Sequence, residues 1–156
     1  MKKYTAILAV LSLFFISVPQ NADAQISFGV GLSAATETEL IGIQGNLLFG
    51  LPLTGLRVAA EATYYFPETQ SGVDVKSYEL NLNGHYSFFD QLLLRSYFLG
   101  GFNLTNVDIG GVSDSKAGAN IGLGVNVSLG LLSTFLETKY VISEFDQFVA
   151  TLGIRF

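Results

Sequence analysis

The chain carries few residues able to do acid–base or nucleophilic chemistry, and their spacing is informative. His85, the single histidine, stands two positions before Ser87. On a strand that spacing puts an imidazole and a hydroxyl on one face. There is no cysteine. One histidine and no thiol argue against a transition-metal site, so no metal and no cofactor are expected. Gly29-x-Gly31 and Gly122-x-Gly124 are not phosphate loops, because neither a Lys-Ser/Thr pair nor a helix follows them. The remaining candidates are charges set at alternate positions in otherwise apolar stretches: Arg57, Glu61, Glu79, Arg95, Glu137, Lys139 and Arg155. Four positive against three negative charges is close to balance. Gathered in one interior, they would have to pair with one another, since buried charges need partners.

The elements that would position these residues alternate at period two. In the segment ending at Phe156, residues Phe148, Ala150, Leu152, Ile154 and Phe156 share one face, and Gln147, Val149, Thr151, Gly153 and Arg155 the other. Seven further segments behave alike. They are Gln25 to Ala35, Leu40 to Gly50, Leu56 to Phe66, Val75 to Phe88, Leu92 to Leu104, Ala117 to Gly130 and Thr134 to Ile142. The Leu92-Leu93-Leu94 run blurs the phase of the fifth, although Arg95, Tyr97 and Asn103 suggest its polar face. Connections are expected at Thr36 to Glu39, Leu51 to Gly55, Pro67 to Asp74, Phe89 to Gln91, Thr105 to Lys116, Leu131 to Ser133 and Ser143 to Asp146. Thr105 to Lys116 would be the longest loop.

Composition narrows the class. Charged residues make up only 13% of the 156-residue chain, against roughly 25% in a typical soluble domain. Apolar content is 49% and mean hydropathy +0.44. Beyond the N-terminal leader, no apolar run reaches helix-spanning length. Hydrophobic strands without spans fit a barrel whose outside faces lipid. The net charge of -5 argues against nucleic acid as a partner. At the N-terminus, Met1-Lys2-Lys3 is a basic head, Tyr4 to Val18 an apolar run, and Ala22-Asp23-Ala24 a small-x-small cleavage site before Gln25. Residues 1-24 are therefore expected to be a Sec-type signal peptide rather than a transmembrane helix, leaving 25-156 as one domain.

The leader, eight alternating strands and the closing Phe156 together resemble the small bacterial outer-membrane β-barrels of the outer-membrane protein X or A type. The Ala-x-Ala-Gln junction suits a Bacteroidetes-like member. The resemblance implies an all-β, eight-stranded antiparallel up-and-down transmembrane barrel, with Phe156 as its C-terminal insertion signal. It also implies localisation in the cell outer membrane of a Gram-negative cell and a monomer. Partners would be outer-membrane lipid and lipopolysaccharide, the barrel-assembly machinery during biogenesis, and an extracellular surface partner. Members serve variously as structural, adhesion or stress-resistance proteins, and a minority are enzymes or narrow pores. An even strand count would put the turns near Pro52, Asp90 and Leu131 on the periplasmic side. The segments around Glu37, Thr69, Gly110 and Glu144 would then lie outside. There the carboxylates of Glu37, Glu39, Glu68, Asp74, Asp108, Asp114, Glu144 and Asp146 outnumber Lys76 and Lys116. They suggest a solvated rim, or divalent-cation bridging to lipopolysaccharide.

His85-x-Ser87 also resembles the His-x-Ser of outer-membrane lipid A deacylases. Phe88 stands where that family has Asn, however, and the pair faces inward, away from acyl chains. The expectation is no catalytic role. The reading favoured by the residues is a structural or surface-interaction barrel, its interior plugged by the charges named above. A narrow passive pore is the alternative, and a soluble lipocalin-like carrier with apolar side chains inside is the third. Within the plug, Glu61 and Glu79 are expected roughly opposite each other. A cation would sit between them, Arg95 first, Arg57 second, with Lys139 further along the wall.

Overall fold

A computed structural model describes residues 26–51, 54–70, 73–144 and 146–156. The expected signal peptide, 1-24, lies outside the described residues. Eight strands follow one another: β1 (Ile26–Ala35), β2 (Ile41–Gly50), β3 (Leu56–Gln70), β4 (Val73–Asp90), β5 (Leu94–Ile109), β6 (Val112–Ser128), β7 (Ser133–Ile142) and β8 (Gln147–Arg155). Each pairs antiparallel with the next, and β8 pairs back to β1 from Gly29↔Arg155 to Ala35↔Val149, closing the barrel. Phe156 continues the seam beyond Arg155. Its N–H donates to Phe28 O at 2.8 Å, and Phe28 N–H donates to its carbonyl at 3.2 Å. Closure removes the free edges that a sheet otherwise exposes.

The period-two pattern decides which face is which. Leu32, Ile43, Leu82, Phe102, Ile121, Leu136 and Leu152 point outward and are exposed, whereas Gln44, Glu61, Asn83, His85, Asn103, Glu137 and Arg155 are buried inside. Polar-in, apolar-out is the reverse of a lipocalin. A soluble carrier with a greasy lumen is not favoured.

The wall is uneven in height. β1, β2 and β7 have 10 residues each and β8 has 9, whereas β3 to β6 have 15, 18, 16 and 17. At ~3.3 Å per residue, the β3–β4 and β5–β6 hairpins extend the barrel well past their neighbours. This corrects two expected loops. Thr105 to Lys116 is not a loop: β5 and β6 stay paired to Ile109↔Val112, and only Gly110 and Gly111 turn, with φ of 60° and 88°. Two consecutive positive φ values make the mirror-image turn whose twist matches the flanking strands, and glycine adopts them without Cβ strain. Likewise β3 and β4 pair to Gln70↔Val73, across most of the expected Pro67 to Asp74 loop. The register shifts between Tyr65 and Glu68, and that irregularity accommodates Pro67, which has no N–H to give a ladder. A second shift between Ser87 and Phe89 leaves both Phe88 and Phe89 outward. Leu92 and Leu93 belong to the turn, so the phase of β5 begins at Leu94.

Candidate functional site: the barrel lumen

Three aromatic side chains fill the lumen, each seated over a glycine on the neighbouring strand. Tyr65 lies across from Gly42, Tyr97 from Gly124 and Phe135 from Gly153. A Cβ added at Gly124 would come within 2.3 Å of the Tyr97 ring, and one at Gly153 within 2.6 Å of Phe135. The glycines therefore make the space that the rings occupy. At the end where β1 meets β2, Ala35, Leu40, Tyr65, Val141 and Val149 pack as a buried apolar cluster. Beyond Tyr97 and Val149, apolar residues inside were not expected. Their signal was present, since Phe135 shares a face with Glu137 and Lys139.

Below that cluster the charges form one chain of contacts. Tyr65 Oη donates to Glu79 Oε1 at 3.2 Å, and Gln147 Nε2 donates to the same oxygen. Lys139 Nζ stands 3.8 Å from Glu79 Oε2 and donates to Glu61 Oε2 at 3.3 Å. His85 Nε2 lies 3.8 Å from Glu61 Oε1, and its ring stacks on Tyr97 with centroids 4.7 Å apart. Tyr97 Oη donates to Glu137 Oε1 at 2.5 Å, and Arg155 Nη2 donates to that oxygen at 3.3 Å. The Arg155 guanidinium also lies 4.4 Å over the Phe135 ring. Glu61, Glu79, Glu137, Lys139 and Arg155 are all buried. Beside them Asn120 Nδ2 donates to Asn81 Oδ1 and Asn83 Oδ1, both at 2.9 Å, and Asn103 Nδ2 to Asn81 at 2.8 Å.

The expected partner of the two glutamates is corrected by this geometry. Glu61 pairs in register with Asn81 and Glu79 with Thr63, so the glutamates are offset by two residues rather than directly opposed. The cation between them is Lys139, not Arg95 or Arg57. In an eight-stranded barrel β7 stands diametrically across from β3, and a lumen just wide enough for side chains lets a lysine reach over. Arg95 instead turns to the mouth, where its Nε donates to Asp90 Oδ2 at 2.7 Å. Arg57 lines that mouth too. Of the seven expected interior charges, five meet in the network and two sit at its entrance.

Ligand-bearing atoms of Glu61, His85 and Glu137 lie within 4.8 Å of one another. Lys139 already contacts Glu61 and Arg155 already contacts Glu137, so the cluster is furnished with cations of its own. His85 and Ser87 face the lumen, as expected from their phase. Outside the wall, at the tall end, many rim carboxylates serve the turns. Asp108 accepts from Gly111 N–H and Ser113 Oγ, and Asp146 from Ser143 N–H. Lys116 Nζ bridges Glu144 at 2.7 Å and Asp114 at 3.4 Å. Those contacts, the hydrogen bond to Glu144 foremost, hold its ammonium above the usual lysine range.

No family model matches the chain, and no curated protein sequence matches it. Solved structures do. The N-terminal β-barrel domain of OprF from Pseudomonas aeruginosa superposes with a TM-score of 0.65 at 16% identity, covering 86% of this chain and 98% of that one. The chain shares the fold of the small outer-membrane barrels. Ail, the attachment invasion locus protein of Yersinia pestis, crystallised with the heparin analogue sucrose octasulfate, gives 0.61 at 14% identity over 85% and 97%. Neisserial surface protein A gives 0.58 at 18% over 86% and 98%. At these identities the likeness is one of backbone architecture.

Proposed function

We propose that this protein is a non-enzymatic barrel of the bacterial outer membrane with a structural or surface-interaction role, its lumen closed by its own side chains. The observation that carries the reading is the pairing of a continuous buried network inside with an apolar wall outside. From Tyr65 to Arg155 the lumen holds aromatic rings, amides and charges in contact with opposite charges, while outward leucines, isoleucines and phenylalanines need a nonaqueous surrounding. Lipid and lipopolysaccharide are its surroundings in this reading, and the assembly machinery inserts it. The tall β3–β4 and β5–β6 hairpins would present the surface for an extracellular partner. Their rim is rich in carboxylates, so a sulfated polyanion such as the heparin analogue bound by Ail would meet like charge here. A basic partner, or divalent cations bridging to lipopolysaccharide, fits the rim better.

The test is conductance of the refolded protein across a planar bilayer. A closed lumen gives no unitary steps. Steady open-channel steps would instead establish the narrow passive pore.

A further inference from the structure

At the end opposite the tall hairpins the lumen opens into a cavity of about 300 Å³ lined by Arg57, Arg95, Arg155, Asn126, Ser133 and Phe156, among others. Three guanidinium groups from β3, β5 and β8 thus converge on one space. Asp90 meets Arg95 and Glu137 meets Arg155, one carboxylate to each. The cavity's other polar side chains are neutral serines and Asn126. Arg155 is the telling member. It is only 4% exposed, and its Nε and Nη1 make no hydrogen bond within the protein. Buried donors of a charged group are costly to leave unmet, and a fork of guanidinium N–H groups matches the oxygens of an oxyanion.

We propose that this arginine-lined mouth is a binding site for a phosphate group. The phosphate oxygens accept from Arg57 and Arg95, and from Arg155 once a small side-chain movement brings its occluded, unpartnered Nε or Nη1 to the cavity, and Asn126 and Ser133 complete the polar wall. The rim of the same cavity is apolar and faces outward: Leu131 is 98% exposed, and Leu132 and Phe156 stand beside it. A phosphate reaches the site either as a soluble anion or as a lipid headgroup whose chains lie along that rim. The inference does not depend on whether the lumen conducts.

The experiment follows the arginine Nε–H signals by NMR, with the refolded full chain in uncharged maltoside micelles at constant ionic strength. Inorganic phosphate is titrated in one arm and a short-chain phosphatidic acid, carried in the same micelles, in the other. A saturable shift of the Arg155 signal is expected. Arg57→Gln and Arg95→Gln should each weaken it about tenfold, the scale of one charge-assisted hydrogen bond. These two residues stand outside the buried network, so the variants should keep the native strand spectrum. Arg155→Lys, which retains the charge opposite Glu137, should weaken binding while leaving the fold in place. Saturation by inorganic phosphate assigns a soluble anion, and saturation by phosphatidic acid alone assigns a headgroup. No saturable shift in either arm, or undiminished affinity in the Arg57→Gln/Arg95→Gln double variant, overturns the site.

Discussion

Lys139 is the residue on which the interior depends most, because its ammonium stands between two buried carboxylates, Glu61 and Glu79. Replacing it with Met keeps most of the stem but removes the ammonium from Glu61 and Glu79. Leaving buried charge unmatched costs on the order of 3–5 kcal/mol. Adding Glu61→Gln to Lys139→Met should recover part of that loss, since one of the stranded charges goes with it. Urea unfolding in detergent of the two single variants and the double variant measures the coupling. Strictly additive losses would mean that the contacts are not one network. Much of this site was legible beforehand. Alternation alone put Arg57, Glu61, Glu79, Arg95, Glu137, Lys139 and Arg155 on one face, because side chains on a strand have nowhere else to go. Which charge meets which was not legible. That depends on the tilt and stagger of a closed sheet, which carry Lys139 across the lumen and leave Arg95 at the mouth with Asp90. The pairing of Tyr97 with Gly124 and of Phe135 with Gly153 was hidden for the same reason. Glycine in a strand looks like a mere gap until register shows the ring above it.

At the level of elements, the strand bodies were readable and the hairpin ends were not. Polar residues at Thr105, Asp108, Ser113 and Lys116 look like a loop. In β5 and β6 they are simply both faces of a hairpin that has left the apolar band, where outward positions no longer need to be greasy. The two-glycine turn governs that extension. Gly111→Ala has open space for its methyl group but keeps φ at 88°. Forcing an L-residue there costs roughly 1–2 kcal/mol. Amide exchange should therefore quicken from Val107 to Asp114 while β5 and β6 nearer Gly101 and Asn120 stay protected. Faster exchange throughout both strands would show that the hairpin is no separate unit. The closing strand carries the other element-scale prediction. Phe156 is paired by two backbone hydrogen bonds to Phe28 and shares its outward face with Phe148, Leu152 and Ile154. Its deletion, or Phe156→Asp, should sharply lower the amount of protein in outer-membrane fractions while refolding into detergent survives. Unchanged membrane levels would mean that the residue is no insertion signal.

For the whole molecule, the decisive quantity is what surrounds the wall. Water and lipid make opposite demands on an outward position, so a charge placed there reports the solvent. Leu152 is 63% exposed near the middle of β8, paired with Leu32 and Leu136. Val112 is 75% exposed at the tip of the β5–β6 hairpin. If lipid covers the wall, Leu152→Arg should cost about 2–4 kcal/mol in bilayers, the price of arginine near the midplane, and Val112→Arg about 0–1 kcal/mol. If water surrounded the barrel, both changes would be neutral or mildly favourable, because each replaces an exposed apolar side chain with a charged one. Reversible unfolding from lipid vesicles, read by the loss of the heat-sensitive folded band on unboiled gels, gives both numbers. A depth-dependent penalty, large at Leu152 and small at Val112, marks the height of the apolar band on this wall. Equal and small effects at the two positions would remove the physical ground for placing the barrel in a membrane. The five buried interior charges would then need another explanation than a lumen sealed within lipid.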